Sequence, residues 1–409
     1  MSMQELCEKY FRDPQTELIY SFLDRSTLKP ATDELFDGVE PSRAIKVTER
    51  TLPEFWMHEN FGMCTGSYMT SEVLRYERTG DAAALANASR CLKGLHFAYE
   101  LGRQLEEGYF PKVYGRKFSK ETSTDQVLYA LWGMDAYYPH ASEEERALIR
   151  RMITSMIRFW VRRDYRYHYF DYCGDNWQWP IMRFPALLLL ADKYADSGDS
   201  TFRKEYERLL HHTARPENCQ LDNARKANRP NDYEIANQAW CTVNGADRIT
   251  MDVMNYAILL KNDPTNPMAE TWKAGIRLMW DEVKDSIDPD GRYYAMVLYD
   301  FKTGKARRTP GYAVDGTANH GSKSGWSTMV TRGGMLALEF CPELADEVLP
   351  KVRLVLDKLK FEDCSYYDEP ERFEPKSRYE TRFLSGDSVT NWLWTSELYQ
   401  KWCQKAQEK

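Results

Sequence analysis

No stretch of this sequence stays apolar long enough to cross a bilayer. The longest hydrophobic run, "FPALLLLADKYA" from Phe184, ends in charge well short of the roughly 18 residues a span needs, and reads as a buried helix. The start, "MSMQELCEKYFRDPQTELIYSFLDR", interleaves acids and bases and lacks the apolar centre of a secretory leader. A cytoplasmic protein is therefore expected, with a secreted or periplasmic protein shorn of its leader as the alternative. The nine cysteines contain no CxxC, are odd in number and lie scattered, which argues against a disulfide frame or a zinc site. Also absent are a phosphate loop, a dinucleotide fingerprint and a serine-nucleophile elbow. No cofactor is expected. The carboxylate-rich loops leave room for a divalent cation without specifying one, and no metal ligands are assigned. A net charge of −7 lacks the basic footprint of a nucleic-acid binder, so neither nucleic acid nor membrane is an expected partner.

What the sequence does contain is helical hairpins. "YERTGDAAAL" from Tyr76 and "YADSGDSTFR" from Tyr194 both read Tyr-x-x-Thr/Ser-Gly-Asp before a helix-starting segment. The glycine closes one helix and the aspartate caps the next. Comparable breaks fall at "YYPHASEEERALIRR", "KNDPTNPMAETW" and "FCPELADEVL". Apolar spacing and caps predict one set of helices, charged on one face, at 4–24, 81–103, 143–163, 200–213, 266–285 and 343–359. The alternating set, at 60–77, 122–138, 176–195, 235–260, 323–340 and 388–403, is richer in small, aromatic and amide residues. Outer and inner helices so ordered make an all-α (α/α)6 toroid, a single catalytic domain over 1–409. A seventh pair within 26–56 would make it (α/α)7. The segment 290–312 alternates in the β manner and turns at Lys302 to Lys305, predicting a small inserted β-hairpin over the toroid mouth.

In such a toroid the loops leading into the inner helices all open at one end. They read "HENFGMCTG", "GRKFSKETSTDQ", "GDNWQWP", "NDYEIANQAW", "ANHGSKSGW" and "LSGDSVTNWLW". Helix capping explains Asp, Asn, Ser or Thr in any one of them. It does not explain the histidine, the paired amides, or the tryptophans Trp177, Trp179, Trp240, Trp326, Trp392 and Trp394. Aromatic faces stack on sugar rings, so a carbohydrate cleft is expected. Basic residues gather on the same loops and on the hairpin, among them Arg116, Lys120, Arg308 and Arg378. On an acidic protein that clustering points to an anionic oligo- or polysaccharide carrying uronic acids. The substrate-binding candidates are His58, Asn60, Arg116, Lys120, Glu121, Asp125, Gln126, Asn176, Trp177, Trp179, Asn237, Arg308, Lys323 and Trp326.

The "WMHENFGMCTGSYMTSEVLRYERTGD" segment, the "KETSTDQ" loop and the "NHG" loop resemble (α/α)-toroid polysaccharide lyases of the alginate and glucuronan type, family 38 in particular. The resemblance implies β-elimination. In such lyases an Asn and a His neutralise the substrate carboxylate, an Arg assists and a Tyr moves the proton. Donors aimed at that carboxylate stabilise the enolate-like charge that builds during abstraction. By resemblance Asn319 and His320 form the pair. Tyr299 or Tyr312 serves as base and acid, and Arg292 assists; Tyr114 and Tyr367 are further tyrosines to consider. The competing class is a glycoside hydrolase of the unsaturated glucuronyl hydrolase type, with acid and base among Glu121, Asp125, Asp175 and Asp387. The Asp-Asp pair followed by Met expected of those hydrolases is absent. A non-catalytic sugar-binding toroid is the third reading.

Overall fold

The computed structural model describes residues 1–32, 60–119, 121–168, 178–214, 234–235, 238–241, 248–281, 283–287, 289–293, 296–300, 305–309, 324–364 and 383–407. Among these residues twelve α-helices alternate between an outer and an inner layer. The outer helices are α1 (Met3–Leu6), α3 (Ala82–Arg103), α5 (Glu143–Arg162), α7 (Thr201–Leu209), α9 (Ala269–Asp281) and α11 (Ala345–Lys358). The inner helices are α2 (Phe61–Thr79), α4 (Thr124–Tyr137), α6 (Phe184–Tyr194), α8 (Val253–Asn262), α10 (Ser324–Ala337) and α12 (Gly386–Gln407). Each inner helix packs on the next, and α12 returns to pack on α2, closing the ring. This is the all-α (α/α)6 toroid.

The hairpin junctions follow their caps. Gly80 takes a left-handed φ of 71° at the end of α2, and the Asp81 side chain accepts from the Ala83 N–H at the start of α3. Gly198 (φ 100°) and Asp199, whose side chain accepts from the Thr201 N–H at 3.0 Å, repeat the device before α7. Ser142 and Glu145 form a full capping box on α5. Burial sorts the layers: α5 buries only one stripe, including Met152, Met156 and Trp160, whereas α4 is buried along nearly all its length. Helices α2 and α4 approach most closely at Gly66 and Gly133. A Cβ on Gly66 would lie 2.2 Å from the Tyr129 carbonyl oxygen.

Four expectations are corrected. The helix expected over 4–24 ends early: α1 runs into a π-helical turn, Cys7–Phe11, and then leaves helical geometry. Pro14 follows Asp13, whose carboxylate captures the Gln15 N–H and the Thr16 hydroxyl, so the local hydrogen bonds go to a turn. The chain then forms β1 (Phe22–Asp24), paired antiparallel with β8 (Phe383–Ser385) immediately before α12. The inner helix expected over 235–260 does not include its first residues: Glu234–Ile235 and Gln238–Cys241 are strands β4 and β5, and described helical structure resumes at Arg248. The expected hairpin exists as β6 (Met296–Asp300) and β7 (Lys305–Thr309), but it is not isolated. β5 pairs with β6, with Trp240 opposite Leu298, giving a four-stranded sheet in the order β4-β5-β6-β7. A further small hairpin, β2 (Val113–Tyr114) and β3 (Lys117–Phe118), precedes α4. The inner helix expected from 176 starts with a single turn at Ile181–Arg183, after Pro180. Most of the 26–56 stretch lies outside the described residues.

A buried ionic network fastens the N-terminal segment to α2 and α3. Arg12, almost wholly buried, pairs with Glu8 at 2.8 Å, and Arg90 reaches Glu8 at 3.1 Å and Glu17 at 2.9 Å. The Tyr68 hydroxyl also donates to Glu8. Burial pushes the Glu8 carboxyl up, but Arg12, Tyr68 and Arg90 outweigh it and hold the group below the usual glutamate value. Its contribution is therefore present above the unfolded-state pKa and is lost as pH falls through the lower folded-state value. Stability of the native chain, measured by denaturant unfolding, should fall steeply between about pH 5 and pH 3, and Glu8→Gln should flatten that dependence. For the ring itself, Gly66→Ala should lower stability by about 1–3 kcal/mol despite alanine's better helix propensity. An unchanged or raised melting temperature would contradict the close α2–α4 contact.

Candidate active site at the mouth of the toroid

Alternation makes the six inner helices run the same way, so their N-terminal ends share one mouth. Around it, Asp387 in the first turn of α12 is held by the first inner helix. Asn60, the left-handed residue that starts α2, donates from Nδ2 to Asp387 Oδ2 at 2.5 Å. The Cys64 thiol donates to Oδ1 at 3.1 Å. Burial, reinforced by Asp387, raises the Cys64 pKa well above the usual thiol range, so the sulfur keeps the proton this bond needs. On the other side of α2, Gln126 Oε1 accepts the Gly62 N–H at 3.1 Å and ties α2 to the first turn of α4.

Asp125, the neighbour of Gln126, is arranged differently. It is half-buried, and its carboxylate makes no hydrogen bond or ion pair with any described residue; Oδ1 is inaccessible and without a donor. Several other buried polar atoms on the inner helices share that condition. They are Ser123 Oγ, Thr124 Oγ1 and Gln126 Nε2 beside Asp125, Ser388 Oγ and Asn391 Oδ1 on α12, and both side-chain atoms of Asn255 on α8. A buried polar atom left unbonded costs about 1–3 kcal/mol. Such atoms on the lining helices call for partners that the described residues do not supply.

Below them lies a buried cation. Arg332, on α10, is fully buried, with its guanidinium 4.7 Å from the Tyr129 ring centre and 4.6 Å from that of Trp394. Nη2 donates to the Thr250 carbonyl, and Nη1 lies 3.0 Å from Met254 Sδ. No described carboxylate is within ion-pair distance of it. Burial lowers its pKa, while Tyr129 and Asp387 favour the charged form. Burial likewise raises the Tyr129 phenol far above its usual value; Arg332 opposes that shift, and Asp387 and Asp125 add to it. Tyr129 lies one turn below Asp125 on α4 and Trp394 two turns below Asp387 on α12, so both carboxylates lead down to one floor made of Tyr129, Trp394 and Arg332.

The remaining expected residues are distributed unevenly. Glu121 is fully buried, with its carboxylate 3.6 Å from His168 Nε2, so it lies in the wall and not at an open surface. Trp179 is buried edge-on against Trp160 at 5.8 Å, and Trp394 packs on Trp132 and Tyr129; both are core residues more than stacking platforms. Trp326 is half-buried beside Tyr293. Arg116 is exposed in the turn between β2 and β3. Arg292 lies 3.8 Å from Asp290 and 3.6 Å from Asp363, near the outer layer. The Tyr114 hydroxyl donates to the Phe22 carbonyl at 2.7 Å and accepts the Ala31 N–H at 2.8 Å, so that tyrosine is committed to the fold. Of Tyr299 and Arg308 only the strand positions are described, opposite Ala306 and Val297. His58, Lys120, Asn176, Trp177, Asn237, Tyr312, Asn319, His320 and Lys323 lie outside the described residues, as do Asp175 and Tyr367. Asn255, Arg332 and Asn391 were not among the sequence candidates, although polar residues inside otherwise small-residue inner helices were the available signal. Among the described residues no group of three or more His, Cys, Asp or Glu could hold a metal ion, and no helix is long and apolar enough to cross a membrane.

The fold and mouth define an (α/α)6 toroid with a polar, carboxylate-bearing floor. No protein-family model matches the chain, and no curated protein does. Among solved structures, one described as glycosyl hydrolase family 88 from Bacteroides vulgatus is similar at a TM-score of 0.50 and 12% identity, over 97% of this chain and 99% of that one. A sugar epimerase from a ruminal bacterium aligns at a TM-score of 0.49 and 11% identity, over 98% of each chain. Identities this low show the fold alone.

The two carboxylates should separate in a stability assay. Asp125→Asn has no bond to lose and should leave stability within about 0.5 kcal/mol of the parent. Asp387→Ala leaves Asn60 and Cys64 without their acceptor and should cost about 1–3 kcal/mol. Equal losses in thermal or denaturant unfolding would refute the distinction.

Proposed function

We propose that the chain is a carbohydrate-active enzyme of the hydrolase type, acting on an anionic saccharide that carries uronic acid. The observation that carries this reading is Asp125: a carboxylate at the mouth, without a hydrogen bond or ion pair to any described residue, among buried hydroxyl and amide atoms that have no partner of their own. Natural chains rarely leave a carboxylate in such surroundings without a use for it. A carboxylate without fixed donors is open to contact with a substrate or a water molecule. Asp387, held by Asn60 and Cys64, is suited to a fixed role, orienting water or substrate. The chain-long likeness to a structure described as a glycosyl hydrolase supports the toroid as a scaffold for such chemistry. Basic residues on the mouth loops support the uronate.

Lyase action through Asn319 and His320 is the second reading. It rests on the "NHG" loop and its resemblance to uronate lyases. One pair of assays divides the two. Elimination creates a conjugated double bond absorbing at about 235 nm, and a glucuronyl hydrolase consumes saccharides that already carry it. Given unsaturated uronyl oligosaccharides, the chain should lower that absorbance, and Asp125→Asn should slow the reaction by about 10²–10⁴-fold. A rise in absorbance with saturated alginate or glucuronan, kept in Asp125→Asn and lost in His320→Ala, would replace the hydrolase with the lyase. No change with any polyuronate or unsaturated oligosaccharide would sink both.

A further inference from the structure

Away from the floor, the N-terminal segment and the β2–β3 hairpin enclose a pocket of about 470 Å³. Both elements belong to the mouth end, since β1 pairs with the strand leading into α12 and β2–β3 leads into α4. Three exposed cations, Lys9, Lys29 and Arg116, line it, and none forms an ion pair with a described residue. Their isolation follows from how the nearby acids are used. Glu8 and Glu17 are spent on Arg12 and Arg90. Asp13, the one acid in the lining, is buried and accepts from the Gln15 N–H and the Thr16 hydroxyl, each at 2.9 Å. Even with the charge of Asp13, the described lining therefore carries an excess of positive charge, on a protein of net charge −7.

The wall is shaped as well as charged. Gly115 turns the β2–β3 hairpin at φ 58°, a conformation that disfavours a side chain, and a Cβ there would sit 3.4 Å from the Tyr20 hydroxyl and 3.5 Å from Asp13 Oδ2. Tyr20 is braced by Tyr114, ring centres 4.8 Å apart, and Tyr10 adds a second half-buried ring. Cations beside tyrosine faces match a ring that is apolar on its face and anionic at its edge.

We infer that this rim pocket is a second, non-catalytic saccharide site, for a carboxylate-bearing sugar unit. The inference rests on the reading of the toroid as saccharide-handling, but it needs no turnover. It predicts that the far end of a uronate oligosaccharide is held here while another unit occupies the floor.

The test is lysine footprinting of the full chain: brief acetylation, then mass spectrometry of Lys9 and Lys29. It is run with a trigalacturonate, with the neutral maltotriose, and with inorganic phosphate, in the parent and in Asp125→Asn. The uronate should slow modification of both lysines several-fold in both proteins, and maltotriose and phosphate should not. In parallel, Lys9→Ala/Lys29→Ala should weaken trigalacturonate binding by about tenfold without changing the melting temperature. No protection by the uronate, equal protection by maltotriose, or equal protection by phosphate would each overturn the site. Because the readout sits on the two lysines, protection without turnover would sink the enzymatic proposal and leave the rim site standing. Turnover without protection would do the reverse.

Discussion

The bonds from Asn60 and Cys64 to Asp387 close the ring. A toroid made from one chain must join its first inner helix to its last, here across more than three hundred residues of sequence, and this joint is polar. Arg78 repeats it lower down, with Nε 2.8 Å from Glu397. Between them, close packing of backbone replaces bulky side chains: a Cβ on Gly386 would lie 2.2 Å from the Tyr20 carbonyl oxygen and 3.1 Å from Cys64 Sγ. The strand β8, paired with β1, leads directly into α12 and so sets where Asp387 begins that helix. Closure and site construction are thus the same event, since the residues that lock α12 to α2 also orient one of the two mouth carboxylates.

The interior that closure creates is polar. Ser67, Thr70 and Ser71 on α2, Ser327, Thr328 and Thr331 on α10, and Ser388, Thr390, Asn391 and Thr395 on α12 are all buried. Many of the hydroxyls are satisfied within their own helix, as Thr331 and Thr395 are by carbonyls one turn back. This permits small residues to line a narrow ring without a dry apolar plug. Arg332 fits the same logic. Its charge is sheltered by two aromatic faces and a carbonyl instead of a carboxylate, so it stabilises negative charge above it without neutralising Asp387 or Asp125 by direct contact.

Much of the ring was legible in the sequence because its punctuation is chemical: a left-handed glycine followed by a capping aspartate marks each of two junctions, and a Ser-x-x-Glu box marks a third. The early end of the first helix was not, because the signal lay in how Asp13 and Pro14 divert hydrogen bonds, which apolar spacing does not register. The strands at 234–241 were read as helix for a related reason: their pairing with β6 is long-range, and no local pattern encodes a partner sixty residues away. At the candidate site, sequence reasoning gathered residues on the lead-in loops, three of which, Asn60, Asp125 and Gln126, the structure places at the starts of α2 and α4. It overvalued tryptophan, since Trp179 and Trp394 are core. It passed over Asn255, Arg332 and Asn391 because they sit one or more turns inside helices, where polar residues read as interruptions until the ring shows which face they occupy.

What separates hydrolase from lyase on this scaffold is where the mobile proton is kept. Elimination needs a base beside a carboxylate already neutralised by donors, and every tyrosine whose hydroxyl is described near the floor is unsuited to that task. Tyr129 is fully buried beneath two acids that oppose its ionisation, and Tyr114 is bonded on both sides to backbone. Hydrolysis needs a carboxyl group that changes protonation and a second that holds its charge. An Asp125 without a described donor and an Asp387 held by Asn60 and Cys64 sit in different surroundings, and on the proposed hydrolase reading that difference suits the two acids to different roles. The asymmetry exists before any ligand binds, because it follows from the same contacts that close the ring.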